Sequence, residues 1–294
     1  MAQGLRLRES PAWLWHKLLN LGLDLALGSL GAAPLNRIES VHDPADGQIA
    51  GELRQLVARL KAEYGSTADG DMNYAALSGS AALERLCECT APLRKFDPRR
   101  LQSHDERVAF WINLYNALTV HTIVEFGVKG SVLRRRGFFR RARYAVGEFV
   151  LSLDEIEHGI LRGNRAPPYI PSRTFPPGDP KRELVIAEPD PRVRFALNCG
   201  SRSCPPIAAY DPRRLDEQLT TATWSFLEGG GMQVDLSAGV MALSKLLKWY
   251  AGDFGGRDGV VAFLRQYVGS HEAEMLDGLR IRWLEYDWSL NKKG

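Results

Sequence analysis

The residues best equipped for chemistry lie in one short run, Asn198-Cys199-Gly200-Ser201-Arg202-Ser203-Cys204-Pro205-Pro206. Two thiols flank a Gly-Ser turn, and two prolines stiffen its exit. A thiol beside turn amides and near Arg194 or Arg202 would occupy a positive spot, which lowers a thiol pKa and makes a nucleophile. The N–H groups of Gly200 and Ser201 could hold an oxyanion. The spacing also allows a disulfide within the loop or two metal ligands. No second cysteine pair or His-x-x-x-His arrangement completes a metal site, so neither a metal nor a cofactor is expected. The competing reading is a proline-braced loop with two buried structural thiols.

Two histidines could serve such a cysteine. Ser152-Leu153-Asp154-Glu155 is a capping box that starts a short helix, which puts His158 on a helix with Glu155 one turn before it and Arg162 one turn after. Glu155 or Asp154 could orient the ring or raise its pKa. His121 lies in DERVAFWINLYNALTVHTIVEF, a helical pattern whose apolar residues leave no broad polar face. Such a helix is buried on most sides, so Asn113, Asn116 and His121 must lie inside or beside a cleft and need partners there. His16, His42, His104 and His271 lack supporting groups. Cys87 and Cys89, in AALERLCECT, would point about 200° apart on a helix and read as ordinary core or boundary residues.

A further concentration of charge is Arg134, Arg135, Arg136, Arg140, Arg141 and Arg143, interleaved with Phe138 and Phe139. It could dock an anionic partner, or be a solvated loop. The net charge of +3 is too small to imply nucleic acid.

These groups need a scaffold, and 294 residues with 45% hydrophobic and 25% charged content can bury a substantial core. Four cysteines do not make a disulfide scaffold. No run of about 20 uncharged apolar residues exists. Arg6 and Arg8 precede an apolar stretch reminiscent of a signal peptide, but Lys17 and Asp24 interrupt it. Trp13, Leu14, Leu18, Leu21 and Leu25 recur at helical spacing, which favours an amphipathic first helix and a cytoplasmic protein. A second helix is expected around ELRQLVARLKAEY, and turn residues over 43–72 divide an N-terminal helical extension (1–65) from the main domain (66–294). Tyr144-Ala145-Val146 and Phe149-Val150-Leu151 read as a hairpin, and Arg192 to Leu197 as a strand ending at Asn198-Cys199. Later come a helix from about Pro212 to Phe226, a hairpin-like MQVDLSAGVMAL, the helices SKLLKWYAGDF and GVVAFLRQYV, and a final strand in LRIRWLEYDWSLN. Helices and strands without βαβ alternation predict an α+β fold, a single domain with mixed helices and a small, largely antiparallel sheet.

The strings FWINLYNALTVH, LSLDEIEHGILR, DPRVRFALNCGSRSCPPI, LLKWYAGDF and YDWSLN resemble the domain of unknown function 547 family, in that family's order, over roughly residues 70–290. The resemblance implies that Asn113, Asn116, His121, Glu155, His158, Cys199 and Cys204 fall on signature positions. It also implies a departure, since the family often has histidine where this chain has Arg194. Plant relatives can have serine at the position of Cys204, which favours Cys199 as the reactive thiol.

The leading expectation is a cysteine-dependent hydrolase or acyl/amide transferase acting on a small molecule or peptide. Cys199 would be the nucleophile, His158 or else His121 the base, and Glu155 or Asn113 the orienting group, with Asn116, Asn198, Gly200, Ser201, Arg194 and Cys204 lining the site. A circularly permuted papain-like arrangement would give histidine before cysteine in chain order. The alternatives are a non-enzymatic adaptor docking through the arginine loop, and a Cys199/Cys204 thiol switch.

Overall fold

The structure, a computed structural model, describes residues 11–39, 46–66 and 70–293. Arg6, Arg8 and His42 lie outside the described residues, as do the side chains of Trp13, Leu14 and His16. The helices are Pro11–Leu27 (α1), Asp46–Tyr64 (α2), Tyr74–Leu77 (α3), Ala81–Thr90 (α4), His104–Glu125 (α5), Phe138–Arg141 (α6), Leu215–Phe226 (α7), Lys245–Trp249 (α8), Arg257–Leu264 (α9) and Ser270–Met275 (α10). The strands are Arg143–Val146 (β1), Phe149–Ser152 (β2), Met232–Asp235 (β3), Val240–Ser244 (β4) and Arg280–Leu284 (β5). The fold is α+β, as the sequence predicts.

Helix α5 is the axis of the molecule. Ser103 Oγ accepts the Glu106 N–H at 3.1 Å while the Glu106 carboxylate accepts the Ser103 N–H at 3.0 Å, a capping box just upstream of the expected start. Every residue from Val108 to Ile123 is buried, as the all-round apolar pattern requires. Leu53, Leu56, Val57 and Leu60 of α2 join the α5 core, so the helix read as part of an N-terminal extension contributes to it. The β1–β2 hairpin covers another side in the predicted register, Val146 opposite Phe149. A second apolar cluster joins Met241 and Leu243 of β4 to Leu247 of α8 and Val260 and Leu264 of α9. In its sheet β4 pairs antiparallel with β3 and parallel with β5.

One expectation is corrected. The segment expected to be a strand at 192–197 is instead a 3₁₀ turn over Pro191–Phe195. Asp190 accepts the Arg192 N–H at 2.8 Å and Pro191 takes the first helical position, so local capping prevails over a short apolar alternation. On α1, Trp15, Leu18, Leu21 and Leu25 are exposed. The polar side holds this helix to the body: Asp24 accepts hydrogen bonds from Arg140 Nε at 2.8 Å and Ser29 Oγ at 2.6 Å. Among the described residues no helix is long and apolar enough to cross a membrane.

Three buried asparagines fasten the cysteine segment to the core. Asn113 exchanges a pair of hydrogen bonds with the backbone of Tyr210, at 2.8 and 2.9 Å. Asn116 Nδ2 donates to the carbonyls of Ala196 (3.1 Å) and Ala208 (3.2 Å), and its Oδ1 accepts the Asn198 N–H at 2.9 Å. Asn198 spans the loop, donating to Pro205 O at 2.7 Å and accepting from Gly200 N at 2.9 Å. Gly200 has a φ of 82° and lies so close to α5 that a Cβ would come within 2.6 Å of Ile123 Cδ1. The C-terminal tail closes the outer side: Arg202 N donates to Ser289 O at 2.8 Å, and Asn291 N to Gly200 O at 3.1 Å.

Replacing Asn116 by Ala strands three buried backbone groups, each costing about 1–3 kcal/mol when unsatisfied. We expect Asn116→Ala to lower the urea-unfolding free energy by about 3 kcal/mol or more; a loss below about 1 kcal/mol would show that the clamp carries little.

Candidate functional site

The clamped loop forms one wall of a cavity of about 260 Å³. Its lining includes Cys199 and Cys204, His158, Asp154 and Glu157, Arg194, and the rings of Tyr115, Tyr169, Trp249, Tyr250, Tyr286 and Trp288. These come from α5, the turn after β2, the cysteine loop, α8 and the C-terminal tail.

At the wall, Cys199 and Cys204 are joined by a disulfide, with their Cα atoms 6.1 Å apart. The Cys199 N–H donates to Cys204 Sγ at 3.0 Å, and the Tyr286 hydroxyl donates to the same sulfur at 3.3 Å. Ser201 Oγ donates to Tyr286 Oη at 3.1 Å and lies 3.1 Å from Cys199 Sγ. Cys204 is therefore a full partner of Cys199 and not merely its support. The Gly200 amide, expected to be free for an oxyanion, is engaged by Asn198.

At the floor stands a buried ion pair. Glu157 Oε1 accepts from Arg194 Nη1 at 2.5 Å and from the Tyr250 hydroxyl at 2.7 Å, and its Oε2 accepts from the Tyr115 hydroxyl at 2.9 Å. Burial alone would raise the Glu157 pKa, but the Arg194 guanidinium and these donors hold it well below the usual carboxylate range. Arg194 lies over the Tyr250 ring, 4.3 Å from its centroid. Its Nη2 is buried without a hydrogen-bond partner.

His158 lies on a π-helical turn, Glu155–Leu161, started by the predicted Ser152/Glu155 box. Its neighbours differ from those expected. Glu155 pairs with Lys181 instead, and Asp154 accepts a short hydrogen bond from Tyr169. The carboxylate nearest the ring is Glu157, 3.6 Å from Nδ1. Arg162, one turn on, donates to Nδ1 at 3.0 Å while gripping Asp253 through Nε and Nη2 at 2.6 and 2.8 Å. An arginine cannot give up its proton, so Nδ1 is the acceptor and the neutral ring carries its hydrogen on Nε2. Burial, reinforced by Arg162 and Arg194, pushes the His158 pKa down to about 3. His158 is thus a donor at Nε2 and lines the cavity.

The remaining candidates lie elsewhere. His121 bonds the Tyr144 hydroxyl at 2.8 Å and approaches Cys87 at 3.7 Å, and burial pushes its pKa down to about 4. Asn113 holds Tyr210 and orients no imidazole. Within the arginine loop, Arg140 is bound to Asp24 and Arg143 to the Arg140 carbonyl, and Arg135 donates to the Phe126 carbonyl, while Arg134, Arg135 and Arg136 are exposed. Among the described residues no cluster of three His, Cys, Asp or Glu side chains could hold a metal ion.

The model of the family described as protein of unknown function, DUF547, matches residues 98–227. That stretch of the chain resembles the DUF547 family. No curated protein and no solved structure matches it. The DUF547 match takes in the asparagine clamps, the His158 turn, Arg194 and both cysteines. It ends before Trp249, Tyr250, Tyr286 and Trp288, which nonetheless complete the cavity. Glu157, Tyr250 and Tyr286 are the residues that sequence reasoning passed over. Their signal was present, because each lies in a string that carries the family resemblance, and Glu157 is adjacent to His158.

Burial pushes the Asp154 pKa up to about 7 from 3.8, against the opposing pull of Tyr169 and Arg140. The folded protein therefore holds this proton more tightly than the unfolded chain. The stability it contributes is full below pH 3.8 and is lost as pH rises towards 7. His158 acts oppositely, costing stability as pH falls from 6.5 towards 3. We expect Asp154→Asn to gain stability relative to wild type as pH rises from 4 to 7, by about 1 kcal/mol per unit, in urea titrations. A pH-independent difference would mean that Asp154 titrates normally.

Proposed function

We propose that Cys199 and Cys204 are a reversible dithiol–disulfide pair that switches the state of a small-molecule cavity. The observation that carries this reading is the position of both sulfurs in the cavity wall, with Tyr286 donating to one of them. A low-molecular-weight thiolate attacks Cys199 Sγ, the S–S bond breaks, and Cys204 leaves as a thiolate. The Cys199 N–H and the Tyr286 hydroxyl stabilise that leaving group, and a better leaving thiolate speeds exchange. A second thiolate then releases Cys199 from the mixed disulfide, so two electrons enter the pair and the external thiols leave as a disulfide. Oxidation reverses the sequence, with a peroxide or an external disulfide as electron acceptor.

The hydrolase or acyltransferase reading fits only the dithiol state, in which Cys199 has a free sulfur. It also asks His158 to act as a base, whereas Arg162 occupies Nδ1 and burial opposes the charged ring. A permuted papain-like mechanism rests on that same base. An adaptor docking through residues 134–143 finds Arg140 and Arg143 already committed within the fold. The switch is therefore preferred.

Trypsin cuts after Arg202, so the disulfide alone would hold the Cys199 and Cys204 peptides together. After oxidation by a glutathione redox buffer, a non-reducing digest should yield the linked pair; after reduction and alkylation it should yield two separate peptides, each alkylated once. Tyr286→Phe should slow reduction several-fold. Full alkylation of both cysteines in denatured, peroxide-treated protein would overturn the switch.

A further inference from the structure

Arg194 Nη2 is a charged, buried donor with no partner, on a side chain only 4% exposed. Leaving such a group unsatisfied is costly, and in native proteins it commonly marks a place kept for something else. Among the described residues no hydrogen bond of His158 Nε2 is found, and the tautomer set by Arg162 gives it a hydrogen to donate. Both side chains line the same cavity.

Another part of the lining is aromatic. Trp249, Tyr286 and Trp288 form one cluster, with centroids 4.7 to 5.7 Å apart and rings inclined by 27 to 55° to one another. All three line the cavity that also holds the disulfide.

We propose that the cavity binds a monocarboxylate with a flat, apolar body, its carboxylate received by Arg194 Nη2 and His158 Nε2 and its body laid against Trp249, Tyr286 and Trp288. This rests on reading the cavity as a small-molecule site and names the class of ligand it takes. A carboxylate offers two acceptor oxygens to two N–H donors, one of them on a guanidinium. The aromatic wall supplies area and excludes water from the contact.

The test needs no variant at its first stage. Phenylacetate, 4-phenylbutyrate and hexanoate, with phenylacetamide as the uncharged analogue of the first, are titrated into the wild-type protein by calorimetry. Saturable one-to-one binding of at least one aromatic carboxylate is expected, with phenylacetamide at least about tenfold weaker than phenylacetate, because the charge-assisted bonds are lost. Arg194→Gln should abolish the preference for the anion. If that variant fails to fold with Glu157 left unpaired, Glu157→Gln/Arg194→Gln removes both charges and should behave the same way. No saturable binding by any of the three carboxylates, equal affinity for acid and amide, or an anion preference that survives loss of Arg194 would each overturn the proposal. Running the titrations on Cys199→Ser/Cys204→Ser separates the two readings. Carboxylate binding there supports the ligand class even if the wild-type cysteines never cycle, whereas cycling cysteines with no carboxylate binding sinks the ligand class alone.

Discussion

The cavity floor is organised around one desolvated ion pair, Glu157 with Arg194. Taking two charges out of water costs several kcal/mol per ion, and attraction offsets this only when the geometry is close and the remaining lone pairs are satisfied. Here Tyr115 and Tyr250 complete the carboxylate, and the Tyr250 ring lies against the guanidinium. Satisfying Glu157 draws one residue from α5, one from the 3₁₀ turn before the cysteines and one from the segment after α8. The pair thus links a residue of one apolar cluster, Tyr115, to one packed against the other, Tyr250. A core seeking stability alone would have used apolar residues, since a buried ion pair seldom improves on them. What the pair supplies is orientation: it fixes the direction in which Arg194 and Tyr250 face.

The cysteine loop is held by a different principle, backbone accounting. Between Ala196 and Ala208 the chain makes no regular ladder, so its N–H and C=O groups need partners from elsewhere. Asparagine suits this because its amide carries both donor and acceptor, and Asn113, Asn116 and Asn198 each use both. An irregular segment becomes rigid without secondary structure. That rigidity keeps Cys199 and Cys204 together, beside Tyr286, and lets the tail strand pair with the loop from outside.

Much of this was legible in the chain. The buried axis of α5 followed from its all-round apolar pattern, and with it the confinement of Asn113, Asn116 and His121. The β1–β2 hairpin and the Ser152/Glu155 box followed from turn and capping chemistry that acts over a few residues. Partnerships were a different matter. On paper helical spacing makes Glu155 the neighbour of His158, but the π-helical turn and Lys181, 26 residues from Glu155, send it elsewhere and leave Glu157 beside the ring. The supposed strand before Cys199 failed because Asp190-Pro191 caps a 3₁₀ turn more strongly than a short apolar run extends a strand. Sequence patterns report short-range preference, whereas the cavity is assembled from side chains 40 or more residues apart, such as Glu157 with Tyr250.

The position of Arg194 shows how one substitution within a resemblance can change the character of a site. Relatives with histidine there would carry a group whose charge varies near neutral pH. A guanidinium stays charged at any physiological pH, so Glu157 keeps its counter-ion and stays ionised. Arg162 does the corresponding service for His158, holding the imidazole neutral with its hydrogen on Nε2. Two arginines therefore freeze the protonation of the cavity floor. The variable element at neutral pH moves to Asp154, whose pKa is pushed up to about 7, at the side of the cavity where Tyr169 reaches solvent. The floor thus holds fixed donors while a neighbouring carboxyl titrates near neutral pH, so the two respond to different variables.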